Sequence, residues 1–190
     1  VIIHSSSSSK YNVLDAWSEM YIGLQWLINS ELPDKQYQAE TRHCALSQMV
    51  LIGSHHLMEV MLFQCIRKLL KNNPGKFPDF ENRIEIAPFA KTFDNWPEKI
   101  IGKPFNKDLE PLKSALVLAE RRNATVHKQS AITTLEMARA SLYTAVEASR
   151  AIENHLLGEQ SFKYDWVLLK HPISKTELFG NISLPQEVNT

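Results

Sequence analysis

Apolar positions along this chain recur at helical steps in four long segments, and no stretch alternates with period two for long enough to predict a sheet. In the first, Leu14, Trp17, Met20, Tyr21, Leu24, Leu27 and Ile28 fall three or four apart, and Asn29-Ser30 with Pro33 mark the stop. The second runs from Gln38 to Lys71 with Cys44, Leu51, Leu57, Met58, Met61, Leu62, Ile66, Leu69 and Leu70 apolar, and ends at Asn72-Asn73-Pro74-Gly75. That is long for a globular helix, whose mean is about 11–12 residues, so Gly53 is expected to mark a bend. The third begins near Asp108, where an acidic first turn and Pro111 suit a helix start, and Leu109, Leu112, Leu116 and Ala119 are expected to face the core. The fourth opens on a capping box, Thr133-x-x-Glu136. It carries Leu135, Leu142, Val146, Ile152 and Leu156 and closes at Gly158.

Between the second and third helices, residues 76–107 are broken by Pro78, Pro88, Pro97, Pro104 and Gly102 yet hold Phe77, Phe80, Phe89, Phe93, Trp96 and Phe105. This reads as an aromatic-rich connection over a satellite core, with one or two short helices, one of them beginning near Pro88. Ile84-Glu85-Ile86 and Val167-Leu168-Leu169 are strand-like, but two isolated pieces do not build a sheet. The expected fold is all-α: a bundle of four long helices with short accessory helices and a C-terminal tail. Residues 1–10, a Val-Ile-Ile-His start followed by a serine run, read as a disordered or appended N-terminus. Residues 11–158 read as the bundle, and 159–190 as an extension wrapping its outside or a partner.

Composition narrows the classes. The chain has 190 residues, 44% hydrophobic and 22% charged, with 21 basic against 21 acidic side chains for no net charge. A chain of this size buries roughly 70% of its unfolded surface, so it folds without a metal or disulfide staple. A neutral total excludes a broad basic face for nucleic acid, so any phosphate site must come from local clustering. The central window free of Asp, Glu, Lys and Arg, Cys44 to Met58, is short and carries Ser47, Gln48, Ser54, His55 and His56, so no membrane span is expected. Cys44 and Cys65, the only cysteines, would lie roughly 32 Å apart on one helix, and read as reduced thiols of a cytoplasmic protein.

Chemistry concentrates late in the third long helix, at Glu120-Arg121-Arg122-Asn123-Ala124-Thr125-Val126-His127-Lys128. One reading is a solvated last turn whose cations offset the helix dipole. The other is phosphodiester cleavage. A neutral imidazole takes a proton from a ribose 2′-OH, and a guanidinium holds two oxygens of the developing pentacoordinate phosphate. On a continuous helix Asn123 and His127 lie about 40° apart, so Asn123 is placed to steady the imidazole, whereas Arg122 and His127 lie about 140° apart. Those two meet only if the helix ends between them or a second copy supplies one of them. Elsewhere, His55, His56 and Glu59 on the second helix read as a polar patch in the core or at a dimer seam that braces the motif helix, rather than a metal site. Glu40 with Arg42-His43 is a similar candidate, and Glu120 is a candidate ion-pair partner for Arg121 or Arg122.

Arg122-Asn123-Ala124-Thr125-Val126-His127 resembles the Arg-polar-x3-His motif of HEPN domains, all-α bundles of which many are endoribonucleases, and it sits late in a long helix ahead of a final long helix as in that family. The resemblance covers about residues 12–157. It implies RNA cleavage without metal or cofactor, in a homodimer whose two motif helices face each other across a two-fold axis. It also implies a place as the toxin of a toxin–antitoxin pair, with an antitoxin protein as partner, or in antiviral defence. By position, Arg122 and His127 would be catalytic, Asn123 and Glu120 supporting, and Arg121 and Lys128 RNA-binding. A non-catalytic module of the same fold that binds a nucleotide or RNA, and a purely structural bundle, stay open.

Overall fold

The computed structural model describes residues 15–29, 45–127, 133–158 and 161–184. Among these the chain is helical with no strand: α1 (Ala16–Asn29), α2 (Ala45–Asn72), α3 (Pro78–Glu81), α4 (Phe89–Ile101), α5 (Leu112–His127), α6 (Leu135–Leu157) and α7 (Asp165–Lys170). The all-α expectation holds. The division into four long helices does not describe the lengths, because α4, with 13 residues, nearly equals α1 with 14. Leu14, Cys44 and the expected first turns of the second helix lie outside the described residues.

The most extensive contact joins α2 to α6. On α6, Ala138, Ser141, Ala145, Ala148 and Ile152 are buried at steps of three and four. Mostly small side chains at these positions let the α2 backbone approach closely. The Ser141 hydroxyl lies 3.2 Å from that of Ser54 and 2.8 Å from the Ala138 carbonyl, so this polar pair is satisfied inside the seam. Further along, Gln64 of α2 reaches Ser149 of α6 through Tyr164 and Trp17, so the two helices run the same way. The Tyr164 hydroxyl is 2.8 Å from Gln64 Oε1, the Tyr164 ring stacks on Trp17 at 4.3 Å, and Trp17 Nε1–H donates to Ser149 Oγ at 3.2 Å.

α1 runs opposite to both, with Trp17 at Ser149 and Leu24 at Gly53. Asp15 starts it by accepting the Ser18 N–H at 3.1 Å, and Trp17, Tyr21 and Leu24 form its buried stripe. Gly53 has a packing role within α2. A Cβ there would stand 2.6 Å from Leu24 Cδ2, so the missing side chain is what lets α1 lie against α2. By length and composition α2 is also apolar enough to cross a membrane. Val50, Leu51, Leu57, Met58, Met61, Leu62 and Ile66 are buried in the bundle together with Ser47, Ser54 and His55, while Met49 is exposed.

Three local expectations are corrected. α5 begins at Leu112, after the cis peptide Glu110–Pro111. Leu109 is 60% exposed, and Leu112, Ala115 and Leu118 form the buried face, with Leu116 and Ala119 only partly covered. The acidic start does act on the helix, since Glu110 Oε2 accepts the Ser114 N–H. At α6 the cap is Thr134, whose hydroxyl accepts the Met137 N–H, one residue later than the predicted box. Thr133 is buried beside it. Gly158 closes α6 in the left-handed region as expected.

The described part of the C-terminal extension, residues 161–184, contributes side chains to the core. Phe162, Tyr164, Val167 and Phe179 are buried, and Val167-Leu168-Leu169 is helical in α7. The Tyr21 hydroxyl donates to the His171 carbonyl, and the Gln25 amide donates to that of Pro172. Phe179 N–H donates to Thr144 Oγ1 on α6 and Gly180 N–H to Ser114 Oγ on α5. The extension therefore straps α1, α5 and α6. The aromatic connection is core as predicted: Phe80 meets Trp96 at 4.8 Å, Phe93 meets Phe105 at 4.5 Å, and Phe105 meets His155 at 4.7 Å.

Two glycines test this packing with opposite signs. A Cβ on Gly180 would lie 3.2 Å from the Ser114 Cα and 2.7 Å from its Oγ, so Gly180→Ala is expected to destabilise by about 1–3 kcal/mol. Gly23 lies inside α1 with nothing within 4 Å of a built Cβ, so Gly23→Ala is expected to stabilise by about 0.5–1 kcal/mol. Urea unfolding of the two variants checks both.

Candidate functional site

The motif helix leaves the core gradually. Leu112, Ala115 and Leu118 are buried, Arg121 and Arg122 are half-buried, and Asn123, Val126 and His127 are exposed. α5 continues without a break to His127, so Arg122 and His127 keep the roughly 140° separation of ideal helix geometry and do not meet on one face. Asn123 Oδ1 accepts from Arg122 Nη1 at 3.1 Å. Thr125 folds back on the helix, its hydroxyl donating to the Arg121 carbonyl at 2.9 Å. Glu120 is exposed. Lys128, like Glu40 and Arg42-His43, lies outside the described residues.

α5 packs against α2, which carries a polar patch of its own. His55 is 4% exposed, and its ring stands edge-on to Phe89 of α4 at 4.9 Å. Its Nδ1 lies 3.7 Å from Glu59 Oε2, and the same oxygen lies 2.9 Å from His56 Nδ1. Burial pulls the His55 pKa down from 6.5 to about 4. Glu59 opposes this, while the positive charge of Arg122 and then His56 push it further down. The His55 imidazole is therefore held neutral, and the charge of Arg122 contributes to that. The patch of His55, His56 and Glu59 lies on a helix that packs against the motif helix. Among the described residues no three His, Cys, Asp or Glu side chains form a metal-binding group.

Beyond Glu59 a groove of about 360 Å³ follows α2 toward the turn at 83–87. His56, Glu59, Gln64, Arg67 and Glu85 form its polar edges over Phe63. The Arg67 fork closes one side by gripping Glu85, with Nη2 3.1 Å from each carboxylate oxygen.

The structure thus joins Arg122 to Asn123, with His127 exposed at the helix end. The His55/Glu59 spacing was visible along one helix, but the edge contact of His55 with Phe89 of α4 leaves no local trace. Comparison of this chain with protein-family models, with curated proteins and with solved structures finds no match.

The neutral state of His55 has a thermodynamic consequence. Unfolded, the ring binds its proton near pH 6.5; folded, it does so only near pH 4. Stability from this residue is therefore intact above pH 6.5 and lost as pH falls toward 4, by about 2 kcal/mol between pH 7.5 and 4.5. In denaturant titrations at those two pH values, the parent should lose about that much more stability than His55→Leu; equal losses would remove the buried neutral ring from the description.

Proposed function

We propose that this chain is a metal-independent endoribonuclease of the HEPN type that works as a homodimer in the cytoplasm. The observation that carries the reading is the placement of the Arg-polar-x3-His motif. It occupies the last turns of a core helix in an all-α bundle, with Arg122 anchored on the core side and His127 exposed at the end. The 140° between them, which leaves each chain with half a site, is what two copies facing across a two-fold axis would complete.

In such a pair, His127 takes the proton of the ribose 2′-OH while the Arg122 guanidinium holds two non-bridging oxygens of the scissile phosphate. The 2′-oxygen attacks phosphorus and the bond to the 5′-oxygen breaks. An imidazolium, from His127 or from its symmetry mate, returns a proton to the leaving oxygen. The products are a 2′,3′-cyclic phosphate and a 5′-OH end. Asn123 supports the reaction through Arg122, Glu120 through the local charge balance, and Arg121 and Lys128 steer the RNA backbone. An antitoxin protein that covers the exposed helix end fits a toxin or defence role.

Purified protein incubated with RNA in EDTA should leave cyclic phosphate ends, and His127→Ala or Arg122→Ala should each reduce cleavage by at least about 100-fold. Cleavage that needs Mg²⁺, or that ignores both substitutions, would refute the enzyme. Saturable, salt-sensitive RNA binding without cutting would leave a binding module.

Mixing the two inactive variants tests the shared site. Random re-pairing makes half of the dimers mixed, each with one intact site, so about a quarter of parental activity should return. No recovery would mean that each chain supplies its own Arg and His.

A further inference from the structure

A groove of about 380 Å³ opens where the last turns of α1, the second turn of α6 and the irregular chain after α7 come together. One wall of it is fixed by buried polar contacts. Gln25 is buried, and its amide donates to the Pro172 carbonyl while the Tyr21 hydroxyl donates to that of His171, so the chain entering the groove is tied to α1 by two hydrogen bonds.

Charge in this groove is one-sided. Arg139 of α6 and Lys175 of the extension line it and no carboxylate does, in a chain whose acidic and basic side chains are equal in number. Arg67 and Arg150 are neutralised within the protein, by Glu85 and Asp165. Among the described residues Arg139 and Lys175 have no such partner. Arg139 and Thr176 also border a second depression, and that is where the carboxylates of Glu136 and Glu177 lie. Two like charges on one concave surface repel each other, and an anion seated between them turns that repulsion into attraction.

Unused hydrogen-bonding capacity lies in the same place. Beyond its bond to Pro172 the Gln25 amide keeps a second N–H and its oxygen, Asn29 keeps a whole amide, and Ser174 keeps a hydroxyl. Ile28 and Ile173 complete the lining with apolar surface.

We propose that this groove binds a small sugar phosphate, with the phosphate monoester held by Arg139 and Lys175 and the sugar hydroxyls by Gln25, Asn29 and Ser174. Arginine offers a fork for two phosphate oxygens and lysine a compact charge, and a monoester carries nearly two negative charges at neutral pH to meet them. The volume is at the small end of the roughly 300–1,000 Å³ of ligand pockets, which suits one sugar rather than a dinucleotide. A phosphate chain running on past Arg139 would meet the carboxylates of Glu136 and Glu177, which selects against longer polyanions. None of the motif residues on α5 lines this groove, so the inference stands apart from the ribonuclease reading.

Isothermal titration of the full chain with ribose 5-phosphate at low salt should reveal one saturable site. Arg139→Gln and Lys175→Gln should each weaken it about tenfold, and Arg139→Lys, which keeps the charge and loses the fork, should fall between Arg139→Gln and the parent. Lys113→Gln, which removes an exposed cation of α5, should leave the affinity unchanged. Binding should also weaken as pH falls through about 6, where the monoester loses its second charge. No saturation at millimolar ribose 5-phosphate, parental affinity in both Gln variants, or equal binding of ribose without phosphate would overturn the proposal. Tighter binding of a 5′-phosphorylated trinucleotide, abolished in Arg139→Gln, would overturn it as well by making the ligand an RNA end.

Discussion

The close approach of α2 and α6 is the constraint on which the rest of this fold depends. Two helices draw near only when the side chains between them are small, and Ala138, Ser141, Ala145 and Ala148 supply that face on α6. Small residues contribute little apolar area each, so the seam gains its stability from backbone proximity and dense packing rather than from bulk. The larger payload sits at the periphery. α1 brings Trp17, Tyr21 and Leu24, and the connection brings Phe93, Trp96 and Phe105. The seam also settles where the candidate site lies. His55 follows Ser54, the seam's own polar contact, so its ring is buried next to the seam and stands against Phe89 of α4.

Trp17 has a similar organising role at the other end of the bundle. It lies between the rings of Tyr21 and Tyr164, with interplanar angles of 10° to each, takes the edge of Phe162, and donates to Ser149. One side chain thereby links α1, α6 and the C-terminal extension. Tyr164 passes the connection to Asp15 and Gln64, and burial together with the Asp15 carboxylate drives its hydroxyl pKa upward, so the phenol stays a donor across the working pH range.

Helices were legible in the sequence because burying one stripe of a helix writes a 3.6-residue period into it, and α1, α2 and α6 all carry that period. The connection was legible as a satellite core because its aromatics are too many to be left in water. Three things were not legible, each for a physical reason. Phe162, Tyr164 and Phe179 are single aromatics in irregular chain, so no period announced that the extension enters the core. Either Thr133 or Thr134 has the hydroxyl to cap α6, and tertiary burial of Thr133 decides between them. Leu109 has the right spacing for a core position, but the helix starts after it. At the site, residue types and spacing named Arg122, Asn123 and His127, and helix geometry already gave the angle that separates the outer two. What spacing cannot give is a contact between distant segments. The burial of the His55 ring against Phe89 depends on α2 and α4 meeting where they do.

The strap formed by the extension bears on the order in which the molecule can mature during synthesis. Phe179 and Gly180 bind Thr144 on α6 and Ser114 on α5, and Trp17, made early, waits for Ser149 and Tyr164. Contacts this far apart in the chain close late, because their loop entropy is lost before packing rewards it. The helix that carries Arg122 and His127 is thus clamped from its buried end only after the residues around 180 have emerged. A nascent chain holds the motif long before it holds the fold that aims it.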